Sequence, residues 1–318
     1  MLSSLFLFGL CALQSAPALE PPAPPARGVL DQVVVIGASL SGGFGLRGQL
    51  EVDFDLARVL ELALVAPRAA VHSLGNNLFF RDPLGLGPGQ VQRAHELEPS
   101  LVVALDFPFW FAYGYRGDCA ARLRDLERGL ALLEGFECPL LLGDLLDATP
   151  ALAGGTAFSG GRPVIQRGQI PSPECLARLN ERLRAWAAGR DNVHVFALQR
   201  FFREAHGPET IVIRGNEYDA ARKRTLLQPD LLHPTYRGAA AVTLVALDSL
   251  ARAGVIEEAA VRWNAAELED AIWKASAAGR EASREKRRER ERQRAERKSR
   301  REEPSDGDRD RELALEPR

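Results

Sequence analysis

"VVVIGASLSGGFG", residues 33–45, opens on four β-branched residues and turns at Gly37 into a run of small ones. A strand that ends in such a turn admits two readings. The first is a dinucleotide-binding turn of the Gly-x-Gly-x-x-Gly kind, built on Gly37 and Gly42 with a helix behind them. The second makes Ser39 a nucleophile at the carboxyl edge of a sheet, where open α/β folds bind their ligands. The dinucleotide reading lacks two features. Ser39 stands where a glycine must let the backbone approach a pyrophosphate, and the next strand, "AAVHSL" (69–74), ends without an acidic residue for the ribose hydroxyls. The nearest carboxylates, Glu51, Asp53 and Asp55, come before that strand, in the connecting helix.

Outward from this turn, short apolar or β-branched runs at 33–36, 69–74, 101–107, 139–142 and 193–197 read as strands. Between them, 50–64, a weaker stretch at 90–97, 118–136 and 171–189 carry apolar residues at helical spacing. Ser172 followed by Pro173 marks a helix start, with proline at the first helical position. Helices over 236–253 and 256–277 close the unit. Strand then helix, repeated, predicts an α/β class: a three-layer α/β/α domain with a five-stranded parallel sheet.

The ends of the chain have other compositions. An apolar run at 5–13 followed by Ala16-Pro17-Ala18 reads as a signal peptide over 1–18, which predicts export to a periplasm or extracellular space. A proline-rich spacer occupies 19–28 and the domain spans 29–277. The tail, 278–318, is nearly devoid of apolar residues: 12 basic and 5 acidic side chains between 280 and 301, then 3 and 7 to the end. It reads as a solvated helix or a disordered segment, or as an adhesive for an acidic polymer. A net charge of -2 over 318 residues gives no ground for nucleic acid as a partner of the whole chain. Cys119, Cys138 and Cys175 remain after cleavage, with no Cys-x-x-Cys pair, so they form one disulfide or are small buried hydrophobes, and zinc is not expected. His72, His95, His194 and His206 show no ligand spacing either, and neither metal nor cofactor is expected.

A nucleophilic serine needs a base. "LLQPDLLHPTYRG" (226–238) supplies Asp230 and His233, three residues apart, so that within one turn a carboxylate can orient an imidazole. With Gly37-Ala38-Ser39-Leu40 for the family's Gly-Asp-Ser-Leu block and Asp230-x-x-His233 for its last block, the chain resembles the SGNH, or GDSL-like, hydrolase family over most of 33–253. The resemblance implies a flavodoxin-like sheet, Ser39 as nucleophile, His233 as base, Asp230 as its orienting partner, and an oxyanion hole drawn from the N–H groups of Ser39 and of Gly75 in "SLGNNLFF" (73–80).

Two departures stand out. Ala38 replaces the aspartate of the first block, which leaves the orienting carboxylate of the last block untouched. The third block should bring an asparagine amide to the oxyanion, but the chain runs "LVVALDFPFWFAYG" (101–114) and has none. A carboxylate from Asp106 would repel the developing charge unless protonated, and losing one donor typically costs about a hundred- to a thousandfold in rate. Asn76 or Asn77 is one source of the missing amide, and a weaker hole made by Ser39 and Gly75 alone is the other. Asp106 and Asp144 lie at the carboxyl ends of expected strands, as cleft residues or loop caps. Trp110, in an aromatic run at 107–115, belongs to a cleft wall, a sugar platform or a loop packed on the core. The expected activity is a serine-dependent ester hydrolase acting on a small-molecule or polysaccharide-linked ester. A binding protein that kept only the fold, and an O-acyltransferase using the same residues, are the alternatives.

Overall fold

The computed structural model describes residues 28–65, 70–115, 117–155 and 160–302. The signal peptide expected at 1–18, the spacer up to residue 27 and the tail from 303 lie outside the described residues. Strands β1 (Gln32–Val35), β2 (Ala70–Ser73), β3 (Leu101–Ala104), β4 (Leu140–Gly143) and β5 (Val193–Phe196) form one parallel sheet in the order β2-β1-β3-β4-β5. Val34 pairs with His72 on one side and Val102 on the other, and Leu141 lies between Val103 and His194. The central strands β3 and β4 are buried at every residue, as strands covered on both faces must be, and they read as unbroken apolar runs.

Helices α1 (Leu46–Leu50) and α2 (Leu56–Ala63) follow β1, and α3 (Pro83–Glu96) follows β2. After β3 come α4 (Phe109–Ala112) and α5 (Cys119–Leu132); α6 (Pro173–Ala188) follows β4 and α7 (Leu198–His206) follows β5. A hairpin of β6 (Ile211–Ile213) and β7 (Asn216–Tyr218) leads to α8 (Ala220–Lys223), α9 (Tyr236–Arg252) and α10 (Ala265–Glu302). Helices α1, α2, α9 and α10 pack together on one side of the sheet and α3, α4, α5 and α6 on the other, the three-layer arrangement expected. Strand order reverses at β1: the chain steps outward to β2, then returns past β1 to β3. The crevice between the carboxyl ends of β1 and β3 is therefore the switch point at which such sheets bind ligands.

Side-chain caps start most of the long helices. Asp55, Asp82, Asp118, Ser172 and Thr235 each accept a backbone N–H three residues on. The helix expected over 50–64 begins later, as α2 at Leu56, because α1 ends at Leu50. Between the two helices Glu51 holds a left-handed backbone (φ 60°), and Gly43 (φ 67°) lies so close to Phe54 that a Cβ there would be 1.9 Å from the Phe54 carbonyl oxygen. Cys119 and Cys175 form a disulfide joining the first turns of α5 and α6, and Cys138 is free. The compositional boundary at 278 is not a structural one: α10 runs through it without a break, and Arg280 still donates to the Leu50 carbonyl (2.9 Å).

Candidate active site

The chain leaves β1 with Ile36 N–H bonded to the Val103 carbonyl (3.0 Å) and turns at Gly37 (φ 143°). Glycine is required there, since a Cβ would lie 2.2 Å from Asp106 Oδ1 and 2.5 Å from Ser41 Oγ. The turn closes through Gly42 N–H to the Ala38 carbonyl (2.8 Å) and Phe44 N–H to the Ser39 carbonyl (2.9 Å), leaving Ser39 half-buried at its crest. Buried Gln90 of α3 braces the turn from below: its amide oxygen accepts from Gly37 N–H (3.2 Å), and its NH2 donates to the carbonyls of Gly37 (2.9 Å) and Leu74 (2.8 Å).

Asp230 and His233 stand in the loop before α9. Asp230 Oδ1 accepts from the N–H groups of Leu232 and His233, both at 3.0 Å, while Oδ2 lies 2.8 Å from His233 Nδ1. Asp230 is fully buried and His233 nearly so. Burial alone would raise the Asp230 carboxyl, but the hydrogen bond and charge of His233 and the two backbone donors outweigh it and hold the group below its ordinary value. In the tautomer protonated at Nδ1, that N–H donates to the Asp230 carboxylate and Nε2 is left as an acceptor. The Phe44 ring lies against the imidazole, centroids 4.3 Å apart. Gln228 ties the two loops together. Its NH2 donates to the Phe44 carbonyl (2.7 Å) and the Pro234 carbonyl (2.8 Å), fixing the histidine loop to the far end of the nucleophile turn. Sequence reasoning passed over Gln90 and Gln228, because a buried glutamine that bonds only to backbone leaves no local pattern.

Ser39 and His233 line one cavity of about 60 Å³ at the carboxyl edge of the sheet, beside Asp106 and Asp144. Its remaining wall is almost wholly apolar, with Leu40, Phe109, Leu146, Phe201, Phe202 and Leu232 prominent. Among the described residues Ser39 Oγ makes no hydrogen bond, and catalytic hydrogen bonds commonly tighten only around a bound substrate. The backbone N–H groups of Ser39 and Gly75 likewise have no partner among the described residues. Gly75 presses on the turn so closely that a Cβ would lie 2.5 Å from the Ser41 carbonyl carbon.

The other expected residues are placed as follows. Asn76 Oδ1 accepts from Leu78 N–H (2.8 Å), an Asx turn, and Asn77 Nδ2 donates to the Gly42 carbonyl (3.2 Å). Like Gly75, neither is among the residues that line the cavity shared by Ser39 and His233. Trp110 is also displaced from the cleft: it is buried against Phe80 and Phe109, and Phe109 takes the place at the wall. Asp144 reaches the cavity but is occupied, accepting from Gln199 N–H at the start of α7 (2.7 Å) and from Arg184 (2.9 Å). Asp106 turns under the loop that carries Ser39. Its Oδ1 accepts from Ala38 N–H (3.1 Å) and the Ser41 hydroxyl (2.5 Å), and its Oδ2 from Leu40 N–H (2.7 Å) and Ser41 N–H (3.4 Å). Burial raises the Asp106 carboxyl above its usual range, against the pull of these four donors.

No protein-family model matches the chain, and no curated protein matches its sequence. Among solved structures it is similar to a lipase/acylhydrolase from Enterococcus faecalis, at 16% identity and a TM-score of 0.42 over 69% of this chain and 94% of that one. It is similar also to a gut microbial diltiazem-metabolizing enzyme, at 14% identity and a TM-score of 0.44 over 71% of this chain and 47% of that one. A third is an alpha/beta hydrolase enzyme from the metagenome of Lake Arreo, Spain, at 15% identity and a TM-score of 0.41 over 73% of this chain and 99% of that one.

Proposed function

We propose that the chain is a serine-dependent hydrolase of ester bonds, with Ser39 as nucleophile, His233 as general base and Asp230 as the carboxylate that orients it. The observation that carries this reading is the buried Asp230–His233 pair, 2.8 Å apart, on the same small cavity as a half-buried serine at the switch point of a parallel sheet. Ser39 Oγ attacks the ester carbonyl while its proton passes to His233 Nε2; the carbonyl π electrons move onto oxygen, which the N–H groups of Ser39 and Gly75 receive. Collapse breaks the bond to the alcohol, which leaves with the proton from Nε2, and a water molecule releases the acyl group by the same steps. The apolar wall suits an uncharged acyl or alkyl group. The Cys119–Cys175 disulfide supports an exported chain, because such bonds persist in oxidising compartments.

The test is intact-mass analysis after treatment with a fluorophosphonate probe. The expected result is a single adduct on Ser39, absent from Ser39→Ala and from His233→Ala. A folded wild type that takes no label would sink the hydrolase reading and favour a binding protein.

A further inference from the structure

We infer that Asp106 is a positioning residue for Ser39: its carboxylate clamps the nucleophile turn from beneath and aims the Ser39 N–H and hydroxyl at the cavity. This rests on the hydrolase reading and gives a role to a residue that the chemistry of an oxyanion hole would exclude.

The geometry is that of an anion seated in a nest of donors. Oδ2 takes the N–H of Leu40 and, more weakly, of Ser41; Oδ1 takes the N–H of Ala38 and the Ser41 hydroxyl. The carboxylate thus binds the residues on both sides of Ser39 and leaves the N–H of Ser39 itself unbound. Four donors converge on two oxygens, which a carboxylate satisfies and an amide does not, since an asparagine NH2 would face one pair of N–H or O–H groups with a donor of its own. The Ser41 hydroxyl comes within 2.5 Å of Oδ1. Space for the carboxylate exists only because residue 37 lacks a Cβ. The other titratable groups on the cavity, His233 and Asp144, are bound to Asp230 and to Arg184, and make no hydrogen bond to Asp106.

Asp106→Asn separates this role from its rival with opposite signs. If position 106 were an eroded oxyanion donor, the amide would restore the donor and speed attack. If it is a clamp, the amide breaks the nest. Wild type, Asp106→Asn and Ser41→Ala would be compared by the rate of fluorophosphonate labelling, by kcat and KM on p-nitrophenyl acetate, and by amide hydrogen exchange across 36–42. The expected result for Asp106→Asn is labelling and kcat lowered by about a hundredfold, the scale of a slightly misplaced reacting group, with KM little changed and exchange faster at 38–41 than elsewhere. Ser41→Ala, which keeps the backbone donors, loses about fivefold, one hydrogen bond's worth, and carries the comparison if Asp106→Asn does not fold. Labelling of Asp106→Asn as fast as wild type or faster, or unchanged exchange at 38–41, overturns the clamp. Should wild type itself take no label, the hydrolase reading fails, and the exchange measurement alone decides the clamp.

Discussion

Asp106 and Asp230 are two buried aspartates whose carboxyls shift in opposite directions, burial winning at Asp106 and the partners winning at Asp230. Asp230 has an imidazole and two backbone donors; Asp106 has four donors and, among the described residues, no cation beside it. Because the folded chain holds the Asp106 proton more tightly than the unfolded chain does, stability falls as pH rises from 3.8 through its raised folded value. Asp230 behaves inversely: its contribution is present above 3.8 and is lost as pH falls through its lowered folded value. Urea unfolding from about pH 3 to pH 7 should therefore show wild type losing ground to Asp106→Asn with rising pH and gaining ground on Asp230→Asn. Parallel slopes for the two variants would refute the assignment. At this scale the sequence was partly legible. Gly-x-Ser and Asp-x-x-His are local patterns, and Asp230 meets His233 three positions away. Asp106 reads as a liability in the sequence, since the residues it binds lie 65 to 68 positions distant and only the sheet brings them together.

At the scale of elements, the five strands were legible because each is a short apolar run bounded by turn residues, and the central ones must be apolar on both faces. Of helix α3 only the second half was, in the weaker stretch at 90–97, since "PLGLGPGQVQRAHE" carries three glycines and an internal proline. Gly87 has a packing reason invisible in a propensity argument: a Cβ there would lie 3.0 Å from the Phe111 ring, which Gly129 of α5 also meets, at 2.6 Å. The hairpin of β6 and β7 was missed because three-residue strands leave too short a pattern to count. The cysteines left two readings open, and the pairing joins α5 to α6 across 56 residues that contain the whole of β4. Replacing Cys119 and Cys175 by alanine should cost about 2–4 kcal/mol in urea unfolding. A loss below about 0.5 kcal/mol would mean that the bond adds nothing to the packing already holding the two helices.

Over the whole molecule, charge is segregated: the segment 280–301 alone holds 12 of the chain's 41 basic residues, while the net charge is -2. Arg, Lys, Glu and Ala are strong helix formers, which is why α10 continues past the point where its apolar stripe ends. Ala265, Leu268 and Ile272 are fully buried, whereas Arg284, Glu285 and residues 288–293 are exposed. A chain ending at residue 282 should melt with the full-length protein, whereas one ending at 264 should lose at least about 3 kcal/mol, the burial of two large aliphatic side chains. Equal stability of the two truncations would show that the first half of α10 is not part of the core. The length of this helix also sets how the molecule moves through water. Its 38 residues span about 57 Å. About 30 Å of that lies beyond Ala282, against a radius of gyration near 18 Å for a compact domain of this size. The protein drags like a ball on a stalk: it elutes from a sizing column ahead of a sphere of equal mass, and removing the stalk brings its hydrodynamic radius back to that of the ball.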